Sequence, residues 1–149
     1  MFEKYKVLTA RETVSRFEIY TERYCKDINT ESLVVLQVAK QSILPAAYRY
    51  QGELAATAAS LVQAGHKAVH TGSLEAVSSL VNQLEKTIVH LEHVMEHKAE
   101  GDILAHARYY RDAVLPAMLE IRKVADALEV IVADDIWPLP KYSEMLFIK

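Results

Sequence analysis

Three histidines, His90, His93 and His97, sit at i, i+3 and i+7 in a helical stretch. At that spacing one helix face can offer imidazole nitrogens to a metal ion, with Glu96 or His106 as a fourth ligand. Their angular position argues against a metal face. With Leu91 turned to the core, His93 and His97 fall roughly opposite the apolar seam and His90 well off it, so the three read as solvated side chains. Asp134-Asp135 is a second candidate for metal, but adjacent carboxylates just after a helix read as a solvated chain exit. Arg108, Arg111 and Asp112, at i, i+3 and i+4, can bind an anion or a partner carboxylate, or equally form ion pairs within and between helices. Tyr109 and Tyr110 point about 100° apart, which assigns one to the core and the other to an interface or a hydrogen bond. Cys25 is the lone cysteine; without a supporting base nearby in sequence it reads as a small buried hydrophobe in a reduced protein.

The motifs of the common catalytic machineries are absent. Glu-x-x-His, which a di-iron carboxylate bundle requires on two helices, does not occur. Nor does a Walker loop, Gly-x-Gly-x-x-Gly, Gly-x-Ser-x-Gly or Cys-x-x-Cys. These residues define no catalytic, cofactor or metal site, and the chain reads as a scaffold or an interaction domain.

The elements that carry these residues are helices. The 149-residue chain is 51% hydrophobic with only 4 glycines and 4 prolines, which excludes disorder and turn-rich β folds and fits a single domain over 1–149. Its net charge of -3, with cations spread along the chain, gives no footprint for nucleic acid or an acidic membrane. No apolar run approaches a membrane span and the N-terminus lacks a signal peptide's apolar core, so a soluble, cytoplasmic protein is expected.

Four helices are expected, in an up-down bundle. Thr9-Ala10-Arg11-Glu12 has the form of a capping box and opens a first helix bearing Val14, Phe17, Tyr20 and Tyr24, which fades near Lys26 to Asn29. Asn29 or Thr30 caps a second, running to Ala64 with Leu33, Leu36, Ile43, Ala47, Tyr50, Leu54, Ala58 and Leu61 on one face. After Gly65 and a connection to Gly72, a third helix alternates steps of three and four without a miss: Leu74, Val77, Val81, Leu84, Ile88, Leu91, Met95. Gly101 ends it and Asp102 caps the fourth, which carries Ala107, Tyr110, Val114, Met118, Ile121, Ala125, Leu128 and Val132 and runs to about Ala133. Ile43-Leu44-Pro45-Ala46 and Val114-Leu115-Pro116-Ala117 place a proline inside the second and fourth helices, and kinks at matched levels are expected. Pro138 and Pro140 exclude further helix, leaving an extended aromatic tail anchored by Trp137, Tyr142, Leu146 and Phe147, which closes the bundle or docks elsewhere.

Several blocks carry a more specific wording: Arg16-Phe17-Glu18-Ile19-Tyr20 with Tyr24-Cys25-Lys26; Leu44-Pro45-Ala46 with Tyr50; Ala107 to Asp112 with Leu115-Pro116-Ala117-Met118 and Arg122, Ala125, Asp126, Leu128 and Glu129; and Trp137-Pro138-Leu139-Pro140-Lys141-Tyr142 with Leu146-Phe147. In this order they resemble the C-terminal region of the type III glutamine synthetases. That resemblance implies a much longer parent that uses ATP to join glutamate and ammonia through a γ-glutamyl phosphate, with Mg or Mn ions, in double hexameric rings. It implies that this chain starts after the catalytic core and is itself an inactive accessory domain serving assembly or regulation. Its expected partners are the upstream catalytic domain and neighbouring subunits of a homo-oligomer, met through Arg108, Tyr109, Arg111, Asp112 and Trp137. The competing reading is a stand-alone helical adaptor or dimerisation module. A third, a metal-dependent bundle enzyme, requires the histidine face or the aspartate pair to hold metal.

Overall fold

A computed structural model describes residues 4–67, 71–96, 101–140 and 142–146. The described residues are all-α: α1 (Ala10–Val38), α2 (Leu44–Gln63), α3 (Thr71–Glu96), α4 (Ile103–Tyr109), α5 (Leu115–Ile131) and α6 (Tyr142–Leu146), with π turns π1 (Ala39–Ile43) and π2 (Tyr110–Val114). None of these helices is long and apolar enough to cross a membrane. The expected break near Lys26 to Thr30 is missing: helical backbone runs from Ala10 through Gln63, a rod of about 80 Å at 1.5 Å per residue. The polar groups that read as caps bond back to the helix instead. Thr30 donates its hydroxyl to the Lys26 carbonyl at 3.0 Å and the buried Ser32 donates to the Asn29 carbonyl at 2.8 Å, an arrangement that satisfies the hydroxyls without ending the helix. At the true start, Glu12 N–H donates to the Thr9 hydroxyl at 3.2 Å and Thr9 N–H to Glu12 Oε2 at 2.8 Å, completing the capping box.

Both internal prolines follow a π turn. In a regular helix the Pro45 ring would meet the Gln41 carbonyl and the Pro116 ring that of Asp112. Here Leu44 N–H bonds back to the Ala39 carbonyl and Leu115 N–H to the Tyr110 carbonyl, five residues away, so an extra residue is accommodated just before each ring. The prolines then occupy the first turn of α2 and α5, where a missing N–H costs least.

The rods pack with α3 at the centre. Lys40 pairs with Glu92, Tyr48 donates to Glu85, and Gln51 Nε2 donates to Ser78 Oγ at 2.8 Å. Rising numbers on π1 and α2 meet falling numbers on α3, so the two run antiparallel. α5 lies along the other side of α3. The core is the α3 seam, Val77, Val81, Leu84, Ile88 and Leu91, closed by Ile43 and Ala47 on one side and Val114, Ile121 and Leu128 on the other. Leu84, Leu91 and Leu128 are fully buried.

Burial on α1 is confined to its C-terminal half: Cys25, Ile28 and Ser32 are its buried residues, and every position from Ala10 to Tyr20 is exposed. The α4 to α5 rod runs parallel to α1 with Tyr110 beside Asn29, and its first residue, Ile103, lies level with the start of α1 burial. The N-terminal half of α1 therefore projects past the bundle. This corrects the expectation that Val14, Phe17 and Tyr20 face a core, and Leu33 too is half-exposed.

The tail is not a plain extended strip. Ile136 and Trp137 both donate their N–H to the Ala133 carbonyl at 3.0 Å, and that turn folds Trp137 into the core, with Ile136 and Leu139 packed beside it. Beyond Pro140 nothing opposes helix, and α6 forms. Lys141 and Phe147, expected parts of the tail, lie outside the described residues, as do His97 and the side chain of Tyr142.

Candidate functional site: the second π turn and the groove beside it

The residues singled out around Arg108 to Asp112 gather at π2. Tyr109, at the end of α4, donates its phenol to the Val94 carbonyl at 2.8 Å, which ties this rod to the last turns of α3. Tyr110 turns to the other neighbour and donates to Asn29 Oδ1 at 3.3 Å. Both rings are half-buried, so neither divides cleanly into core or surface. Desolvation pushes both phenols up, aided at Tyr110 by Cys25 and Tyr109 nearby. Burial likewise pushes the Cys25 thiol up, away from nucleophile chemistry.

Arg111 and Asp112 point outward. Arg111 donates Nε and a terminal nitrogen to the two carboxylate oxygens of Asp112 at 2.6 and 2.8 Å. This pairs sequence neighbours across the π turn, a geometry the i, i+3 and i, i+4 reading did not foresee. The guanidinium holds the Asp112 carboxyl below the usual carboxylate range, with Arg108 adding to the effect, and Asp112 in turn raises Arg111. The result is an exposed, fixed, oppositely charged pair with Arg108 one turn away.

Trp137 is placed differently from these four. It is 8% exposed and lies in the core, with its Nε1 lacking a hydrogen-bond partner among the described residues. In this chain it closes the bundle.

Beside π2, a groove of about 460 Å³ runs between α1 with π1 and α5. Val34, Val35, Val38, Met118 and Leu119 form its floor and walls, Glu31, Arg122 and Asp126 its rim, and Leu139 of the tail its end. Sequence reasoning missed this groove, and missed Asn29 as the acceptor of Tyr110. The one signal for the groove was the run Leu33-Val34-Val35-Leu36, apolar over more of the helix circumference than a single seam needs.

His90 and His93 are exposed on α3, as their angle predicted. Among the described residues no three of His, Cys, Asp and Glu come together to hold a metal ion. The arrangement at π2 and the groove is suited to recognition: charge-paired donors and acceptors beside an apolar trough, on a scaffold fixed by tyrosine hydrogen bonds.

Comparison with known proteins finds similarity to glutamine synthetases. The family described as Glutamine synthetase C-terminal domain matches residues 1–62, a span that ends with the long α1 to α2 rod. The chain is also similar, from end to end, to the Type-3 glutamine synthetase of Dictyostelium discoideum: 30% identical over 160 residues, covering 100% of this chain and 21% of that protein. It is 30% identical over 152 residues to a glutamine synthetase of Butyrivibrio fibrisolvens, covering 99% of this chain and 22% of that protein. With a glutamine synthetase of Bacteroides fragilis (strain YCH46) the identity is 28% over 154 residues, covering 97% of this chain and 21% of that protein. The chain thus spans about a fifth of the length of the curated relatives it matches. No solved structure matches it significantly.

Proposed function

We propose that the chain belongs with the C-terminal domains of the glutamine synthetases and is the non-catalytic accessory domain of a type-3 enzyme, serving assembly or regulation. The observation that carries the reading is the match of the whole chain to about a fifth of each curated relative. In this reading the parent is a cytoplasmic homo-oligomer that ligates glutamate and ammonia with ATP and Mg or Mn. The upstream catalytic domain and the neighbouring subunits are its partners. The packed rods act as an up-down bundle whose two proline levels hold π1 and π2 in place. Arg108, Arg111 and Asp112 form the contact surface, with Tyr109 and Tyr110 fixing its position. An exposed ion pair adds little to the stability of an isolated domain, about 0 to 1 kcal/mol, but it can give a partner direction and register.

The test is made in the full-length enzyme. Replacing Arg108, Arg111 and Asp112 together by alanine should leave the bundle folded yet weaken ring assembly or change activity, read by native mass and steady-state rate. Unchanged assembly, stability and activity would remove the basis for an interface here.

A further inference from the structure

We propose that two copies of this chain associate, antiparallel, through the projecting N-terminal half of α1. The face that α1 and the start of π1 turn to the bundle carries Ile28, Ser32, Val35 and Ala39. Followed back in steps of three and four, the same face continues as Tyr24, Thr21, Phe17 and Val14. Among the described residues nothing covers it there, and every position from Ala10 to Tyr20 is exposed. Phe17 is 51% and Val14 56% exposed, although both occupy seam positions. An apolar seam on a preformed helix, bare for about three turns, is the surface a coiled coil closes.

Charge selects a second copy as the occupant. With Val14 at a and Phe17 at d, the flanking e positions are Arg11 and Glu18, both exposed. When Val14 of one copy is layered on Phe17 of the other in antiparallel order, Arg11 of each faces Glu18 of its mate. The two-fold axis repeats the pair, so one sequence supplies both halves of an isologous contact. Within one copy the two residues are seven positions and about 10.5 Å apart along the helix, too far to pair with each other. The overlap, from Ala10 to Thr21, is short, which sets the contact among small, weak interfaces. The helix is already ordered by its continuity with the packed half of α1, so association does not have to form it.

This inference stands on the surface of the chain itself and does not rest on the ligase reading. The two fail separately: a monomeric 149-residue chain overturns the pairing, whereas full-length assembly and activity unchanged by substitution of Arg108, Arg111 and Asp112 overturn the accessory role. The test is sedimentation equilibrium of the 149-residue chain from low micromolar to near-millimolar concentration. A reversible monomer-dimer equilibrium is expected, abolished by Phe17→Ala. R11E and E18R should each weaken it about tenfold, because two attractive pairs become two repulsive ones. The double variant R11E/E18R should recover to within about threefold of the parent chain, by the same pairing. A monomer throughout that range, or a double variant no better than the singles, would overturn the proposal. Helix content and melting of each variant at high dilution should match the parent chain, since both positions are exposed.

Discussion

Leu84 and Phe17 both occupy seam positions of long helices, and the structure separates them sharply. Leu84 is 0% exposed at the centre of α3, in the shared core with α2 and α5; Phe17 is 51% exposed past the end of the bundle. Leu84→Ala removes buried methyl groups and leaves a cavity that the surrounding rods fill only partly, at a cost of about 3 to 4 kcal/mol. For a domain of this size each kcal/mol lowers the melting temperature by roughly 2 to 4 °C, so a fall of about 6 to 16 °C is expected. Phe17→Ala deletes a larger side chain but one already in water, and should stay within about 0.5 kcal/mol. The assay is thermal unfolding followed by circular dichroism at low micromolar concentration, where self-association of α1 does not contribute. Comparable losses for the two variants would mean that the N-terminal half of α1 belongs to the cooperative core, and the description of it as projecting would be wrong. Val14→Ala serves as a second exposed control on the same helix face.

Three further outcomes are expected. Tyr109→Phe should cost about 0.5 to 1.5 kcal/mol by leaving the Val94 carbonyl without its donor, and Tyr110→Phe should fall at the lower end because its bond to Asn29 is longer; urea unfolding measures both. The Thr9 N–H and hydroxyl bonds lower the Glu12 carboxyl, so its contribution to the cap is full above the unfolded glutamate pKa of about 4.3 and is lost as pH falls through the lower folded value. Protection of the Glu12 and Thr13 amides, measured as exchange relative to the intrinsic rate at each pH, should therefore fall on acidification below that point, and Glu12→Gln should blunt the change. In alkaline titration followed by ultraviolet absorbance, Tyr48 should ionise late, because its phenol donates to Glu85 and ionisation would bring two negative charges together; Glu85→Gln should bring it back toward an ordinary phenol.

Legibility from sequence followed how much each element depends on its neighbours. The α3 seam was readable residue by residue, because a helix packed on both sides must be apolar at every seam position, and Val77, Val81, Leu84, Ile88 and Leu91 are all buried. The capping box at Thr9, the stop at Gly65 and the N-cap at Asp102 are local chemistry and were likewise legible. The false break near Asn29 arose because a cap and a hydroxyl bonding back to its own helix use the same residue types; here Thr30 and Ser32 bond back to the Lys26 and Asn29 carbonyls and the helix continues. The prolines announced a local disturbance, but its form, a π turn and an extra residue, depends on backbone bonding that residue types do not encode. Periodicity marks Val14 and Phe17 as seam residues without saying whether a partner helix extends far enough to cover them. The polar and aromatic run Arg108 to Asp112 was legible as a run, while its pairing was not: Arg111 bonds Asp112 within the π turn, and Tyr110 bonds Asn29 on a rod distant in sequence.

The measurement that bears most directly on the accessory-domain account is glutamine formation from ATP, glutamate and ammonia with Mg, by this 149-residue chain beside the full-length type-3 enzyme. The account predicts product from the full-length protein and none from the chain alone. Turnover by the chain would contradict it, because a catalytic site would then lie within the helices described above.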